Sequence, residues 1–302
     1  MTRAALLISI PGMLAAVLLV ACEKAPPQQP VVVYAVGDDE ALLSESLTEF
    51  TNDTRIPVTL VFSRSSKNAD LVIHNNGSPP ADILITDNVA DIWRAADKGA
   101  LRPIDSATLE RVDPLISDAD GFWTAIAMQR HGIAALKTKT AHLPVANYDQ
   151  LASSGMQGRV CLSSSLLHAN RSLIAMLINE RGAKNTERLV RSWVRNLAAA
   201  PFPSDDELIG AIRNGACDYG LLPWYPDIDD LIYFLPEQHY MDIGGIGVAR
   251  HARQVESAQR LVEWLVRKRQ SRIVSESDIR PVGIAGWLDE DARLLAERAG
   301  YH

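Results

Sequence analysis

The chain has 302 residues, a formal net charge of −7 and three cysteines. The acidic balance and the lack of a Lys/Arg stripe argue against nucleic acid as a partner, because neutralising phosphates requires clustered cations. Residues 31–302 exceed one simple core and suit two domains of ordinary size.

At the N-terminus Arg3 precedes an apolar run over residues 4–20, broken only by Ser9, Pro11 and Gly12. This is a signal-peptide layout. A membrane span needs roughly twenty uninterrupted apolar residues, and a Pro-Gly pair in its middle argues against a permanent span. The run ends in Leu19-Val20-Ala21-Cys22, which resembles the lipobox of bacterial lipoproteins, where the cysteine is acylated. Residues 1–22 thus read as a lipoprotein signal with Cys22 as the lipidation site; an ordinary secretory signal with an accidental cysteine is the plainer alternative. Residues 23–30, rich in Pro and Gln, read as a flexible tether. The expected location is the periplasmic side of a bacterial envelope, membrane-held through Cys22. In that oxidising compartment Cys161 and Cys217 are expected to form a disulfide between neighbouring strands, with two buried free thiols as the alternative.

From Val31 onward short apolar strands alternate with amphipathic helices, the pattern of parallel sheets covered on both faces. Residues 31–36 form a β-branched strand ending at Gly37, and Leu43, Leu47 and Phe50 then recur at helical spacing. Strands follow at 56–62 and 82–86, then a helix carrying Val89, Trp93 and Ala96 that Gly99 closes, giving βαβαβ. Residues 122–136 read as two short apolar segments crossing to a second domain. That domain opens with a short helix at 148–153 and a strand at 159–163. Three helices follow: one marked by Leu166, Leu173, Leu177 and Ile178, one by Leu189, Trp193 and Leu197, and one started by the Ser204/Glu207 capping box and stopped at Asn214-Gly215. A strand at 217–222 leads into Pro223-Trp224-Tyr225-Pro226. A strand at 243–249 that resumes the first domain leaves the second inserted within it. The next helix presents Ala258, Leu261, Val262, Leu265 and Val266, with Arg267-Lys268-Arg269 closing it, and residues 287–299 form a terminal helix.

Ligands of open parallel sheets lie beyond the carboxyl ends of strands, beside helix N-termini. Four junctions qualify: Asp38 and Asp39 after the first strand, Asp87 after the third, Ser163-Ser164-Ser165 after the first strand of the second domain, and Trp224-Tyr225. The acids serve equally as helix caps, and the serines equally as a cap or an anion site. His168 reads as a surface or packing residue. No nucleophile elbow, H-E-x-x-H or paired-cysteine motif occurs, and Gly245-Ile246-Gly247 fits only part of a dinucleotide fingerprint, so the chain is not expected to be an enzyme or to hold a resident cofactor.

Several collinear segments carry a family resemblance. Residues 80–86 (Pro80 to Thr86), Ile92-Trp93-Arg94, Gly99-Ala100-Leu101, Asp120-Gly121-Phe122-Trp123, residues 147–152, residues 158–165, residues 172–176 and residues 214–218 resemble, in order and spacing, the periplasmic ferric iron-binding proteins of ABC transporters. The resemblance implies a two-lobed, type II periplasmic-binding-protein-like α/β fold: each lobe a mostly parallel sheet flanked by helices, joined by crossing hinge strands. The expected division is 31–126 plus 242–280 for lobe 1 and 127–241 plus 281–302 for lobe 2. A permease and an ATPase are the implied partners of a monomer. In the family, phenolates hold ferric iron, often two adjacent tyrosines and a third on the crossing segment. Here the pair reads Trp224-Tyr225, Asp38-Asp39 stand at the His-Tyr position, and Ala135 takes the place of the crossing tyrosine.

The first reading is therefore a solute-binding protein holding ferric iron or an iron complex through Tyr225, Asp38 and Asp39, with Asp87, and with Arg130, Ser164 and Ser165 near a synergistic anion. The second keeps the fold but takes a small organic molecule or anion, Trp224 supplying an apolar or stacking face. The third is a lipid-anchored sensory or interaction module.

Overall fold

The computed structural model describes residues 28–37, 39–139, 145–225, 228–236, 240–274 and 285–302. The predicted signal with Cys22, most of the tether, and Asp38 lie outside the described residues.

Strand β1 (Val31–Val36) is buried on both faces, which is why its sequence is a continuous apolar run rather than an alternating one. Val31, Val33 and Ala35 pack with Leu43, Leu47 and Phe50 of α1 (Glu40–Thr54). Parallel strands β2 (Val58–Ser63) and β3 (Ile83–Ile85) flank β1. On the opposite face Val32, Tyr34 and Val36 meet Ala69 and Val72 of α2 (Lys67–Ile73) and Ile92 of α3 (Val89–Asp97). Helix α2 escapes a periodicity search because it is short and Asn68 occupies a buried position. Its amide donates to the carbonyls of Ala35 (2.9 Å) and Val61 (2.7 Å).

After β4 (Leu101–Arg102) and α4 (Ser106–Leu109), β5 (Thr124–Leu136) crosses the molecule as one strand, with a register shift between Ala125 and Ala127. Two separate segments were expected. The strand is continuous because it changes partners midway, so its polar middle, Gln129-Arg130-His131, interrupts the apolar pattern without ending the ladder.

In the second half β6 (Val160–Leu162) runs parallel to β7 (Tyr219–Pro223), joined through α5 (His168–Arg181), α6 (Ala183–Arg195) and α7 (Asp205–Arg213). Its core holds Leu173, Leu177, Leu189 and the fully buried Trp193, whose indole N–H donates to the Tyr148 carbonyl at 3.0 Å. Strand β8 (Leu231–Phe234) pairs with β5, and β9 (Met241–Ala249) returns through the middle. The resulting order is β2-β1-β3-β9-β5-β7-β6, with β4 on β9 and β8 on β5. The strands linked by helices are parallel in each half, and the crossing strands β5 and β9 run antiparallel to all their neighbours.

Helix α8 (Val255–Val274) covers the first half, and α9 (Asp289–Ala299) packs on α5 and α6. Arg267 and Lys268 lie within α8 rather than at its end: Arg267 pairs with Glu263, while Lys268 pairs with Glu49 and sits over the Trp264 ring. Their partners are side chains, so the expected dipole role does not apply. Cys161 and Cys217 form a disulfide with 5.9 Å between Cα atoms; Cys217 stands just before β7 rather than inside it.

Candidate functional site

The carboxyl ends of β1 and β3 touch: a Cβ on Gly37 would lie 3.7 Å from Asp87 Cβ. Asp39 is the N-cap of α1 and accepts the Leu42 N–H at 2.9 Å, so its carboxylate already satisfies one orphan amide of the helix. Asp87 is exposed at the same edge and accepts from Asn88 Nδ2 at 2.9 Å. Asn88, not Asp87, caps α3, accepting the Asp91 N–H at 2.9 Å.

In the second half the corresponding edge is built from the end of β6, the start of α7 and the segment after β7. Ser163 is buried and donates its hydroxyl to Asp205 Oδ1 at 2.6 Å, and the Tyr225 phenol donates to Asp205 Oδ2 at 2.9 Å. Asp205 thereby links all three segments. The sequence singled out Tyr225 but not Asp205, because an acid just after the Ser204 cap looks like ordinary first-turn charge. Ser164 is half-buried and its hydroxyl accepts the Leu166 N–H at 3.2 Å, a local turn. Ser165 points inward, donating to the Tyr301 carbonyl at 3.0 Å. The serine triplet therefore serves three separate tasks. Two further phenols flank Asp205. Tyr233 is pushed up to about 12 chiefly by burial, with the Asp205 charge adding to the effect. Tyr301 is raised by the same two causes and donates to the Ser163 carbonyl at 2.6 Å, so both stay protonated.

The crossing strands connect these edges. Arg130 on β5 lies over the Trp224 ring, 5.4 Å from its centroid, and its carbonyl accepts the Trp224 backbone N–H at 2.8 Å. Gln129, beside it, stands opposite Asp242 of β9. Asp242 is buried and receives the Ser172 hydroxyl of α5 at 3.0 Å and its neighbour's Ile243 N–H at 2.9 Å. Burial first, and the nearby Asp87 charge second, push its carboxyl up to about 7 against the opposing hydrogen bonds. His131 is also buried, and burial holds its imidazole down at about 4, hence neutral. Asp242 was legible only as a lone acid at the start of an apolar run, and His131 only as a neighbour of Arg130.

Asp39 and Asp87 thus stand at one edge, Tyr225 with Asp205 at the other, and Arg130 with Trp224 at the junction with the crossing strands. Ser164 and Ser165 are held by local contacts of their own. Among the described residues no three His, Cys, Asp or Glu side chains converge to hold a metal ion.

No protein-family model matches the chain. Iron uptake protein A1 of Synechocystis sp. is 26% identical over 262 residues, covering 80% of this chain and 73% of the relative. The Fe(3+)-binding periplasmic protein of Serratia marcescens is 25% identical over 268 residues, covering 83% and 78%. These relatives are named for iron uptake and ferric binding, not for catalysis. Among solved structures, a Trichodesmium protein (IdiA, FutA) in complex with iron and citrate matches with a TM-score of 0.78 and 24% identity, over 91% of this chain and all of that one. The ferric binding protein from Campylobacter jejuni also matches at 0.78, with 19% identity over 90% of this chain. The two-lobed α/β fold expected from the sequence is the fold observed.

Proposed function

We propose, from the premise that this chain is a relative of the periplasmic ferric iron-binding proteins and shares their two-lobed fold, that it is the solute-binding component of an ABC transporter for ferric iron or an iron complex. The carrying observation is that Tyr225 stands at the carboxyl edge of β6 and β7, engaged with Asp205. The lobes are residues 31–126 plus 242–280 and 127–241 plus 281–302, and the hinge is the β5/β9 crossing. Lobe 1 contributes Asp38, Asp39 and Asp87, lobe 2 contributes Tyr225, and Arg130 and the half-buried Ser164 lie towards a synergistic anion; Ser165, turned inward onto the Tyr301 carbonyl, does not. Phenolate and carboxylate oxygens suit a hard trivalent cation and supply its charge compensation. Cys22 holds the protein on the periplasmic side of the membrane, and a permease and an ATPase complete the transporter.

Adding ferric citrate to the signal-less protein is expected to produce a visible phenolate-to-iron absorption band that Tyr225→Phe abolishes. A colourless protein whose melting temperature iron does not move rejects this reading.

One observation favours a second reading, an organic molecule or anion as the cargo. Arg130 over Trp224 forms a charged, planar platform where the relatives' first tyrosine would stand. Stabilisation by an organic anion without iron, by roughly 2.7 kcal/mol at a hundred times its dissociation constant, would support it.

A further inference from the structure

With Trp224 in the first position of the aromatic pair, Tyr225 would leave lobe 2 a single hard oxygen donor. The Asp205 carboxylate stands beside it. Its Oδ2 accepts the phenol at 2.9 Å, and its Oδ1 is fixed by the Ser163 hydroxyl at 2.6 Å. Two hard oxygens from separate segments thus stand side by side at ordinary hydrogen-bond distance, close enough to share one hard cation without moving either segment far.

Resting on the ferric reading above, we infer that Asp205 and Tyr225 bind the cargo cation together, with Asp205 as a direct ligand. The chemistry is a ligand exchange without redox change. The Tyr225 O–H bond breaks, its proton passes to solvent base, an iron–phenolate bond forms, and iron remains ferric. Asp205, whose two oxygens accept the Ser163 and Tyr225 hydroxyls, adds an oxygen as water or a chelator oxygen leaves. Ser163 stays on Oδ1 and orients the carboxylate, as hydrogen bonds to metal-bound carboxylates commonly do.

The test is titration of the signal-less protein with ferric citrate, reading affinity and the position of the visible band for wild type, Asp205→Asn and Ser163→Ala. With Asp205 as ligand, Asp205→Asn loses more than about 100-fold in affinity, beyond the usual reach of an outer hydrogen-bonding partner. Its band moves to longer wavelength, because iron deprived of an anionic donor becomes a stronger electron acceptor. An Asp205→Asn protein with the wild-type band position overturns the inference. Ser163→Ala gives a reading that does not depend on an Asp205 variant folding. A coordinated carboxylate freed of its hydroxyl donates more strongly and shifts the band to shorter wavelength, whereas an unmoved band also overturns the inference. A wild type with no band at all refutes the ferric reading itself, so the two failures are distinguishable.

Discussion

Replacing Asp242 by Asn is expected to stabilise the protein at alkaline pH and leave it unchanged in acid. The carboxyl is buried between the crossing strand and α5, with its hydrogen bonds from Ser172 and Ile243 outweighed by desolvation. Its ordinary value of 3.8 is raised to about 7. The folded chain therefore keeps a proton that the unfolded chain releases above about pH 4. The resulting stability is present below pH 4 and lost as pH climbs to about 7. At about 1.4 kcal/mol per tenfold change in proton affinity, the loss is about 4 kcal/mol. His131 acts in the opposite sense: its imidazole is held neutral down to about 4 against an ordinary 6.5, so acid erodes stability over that lower range. The wild-type profile alone mixes these two slopes, so the informative quantity is the difference between variant and wild type in urea denaturation. Asn is close to isosteric with the protonated carboxyl, and the gain should grow from near zero at pH 4 towards about 4 kcal/mol at pH 8. A difference independent of pH would refute the assignment of Asp242 as a buried, proton-holding hinge residue.

Asp82 accepts three backbone N–H groups, from Val32, Arg253 and Gln254, tying β1 to the start of α8. Asp82→Ala should cost at least about 3 kcal/mol in urea denaturation, since each stranded amide costs 1 kcal/mol or more. Mass analysis of periplasmically expressed protein should find no free thiol at Cys161 or Cys217. Because the bridge closes a loop of 56 residues, replacing both cysteines by alanine should lower stability by about 4 kcal/mol. Trp224→Tyr should strengthen ferric binding and intensify its colour if iron is the cargo; it should weaken binding if an organic ligand stacks on the indole.

Most of the architecture was legible because burial writes itself into sequence periodicity. β1 reads as a continuous β-branched run because both its faces are covered, and α7 announces itself because Ser204 caps it, accepting the Glu207 N–H at 3.3 Å. Where polar side chains replace apolar ones in buried places, the signal fails. Asn68 conceals α2, and Gln129-Arg130-His131 splits β5 on paper although the strand is continuous. The site was legible only at strand ends, where topology directs attention to Asp39, Asp87 and Tyr225. Asp205 and Asp242 were missed because their importance lies in partners distant in sequence: Ser163 and Tyr225 for one, Ser172 for the other. Ser164 and Ser165 looked alike in sequence, yet one braces a turn and the other faces the C-terminal segment.

Equilibrium dialysis of the signal-less protein against radioactive ferric citrate weighs the central claim most directly. Retention of one iron per wild-type chain and of none by Tyr225→Phe is the predicted result. Equal retention by both proteins, or by neither, contradicts it.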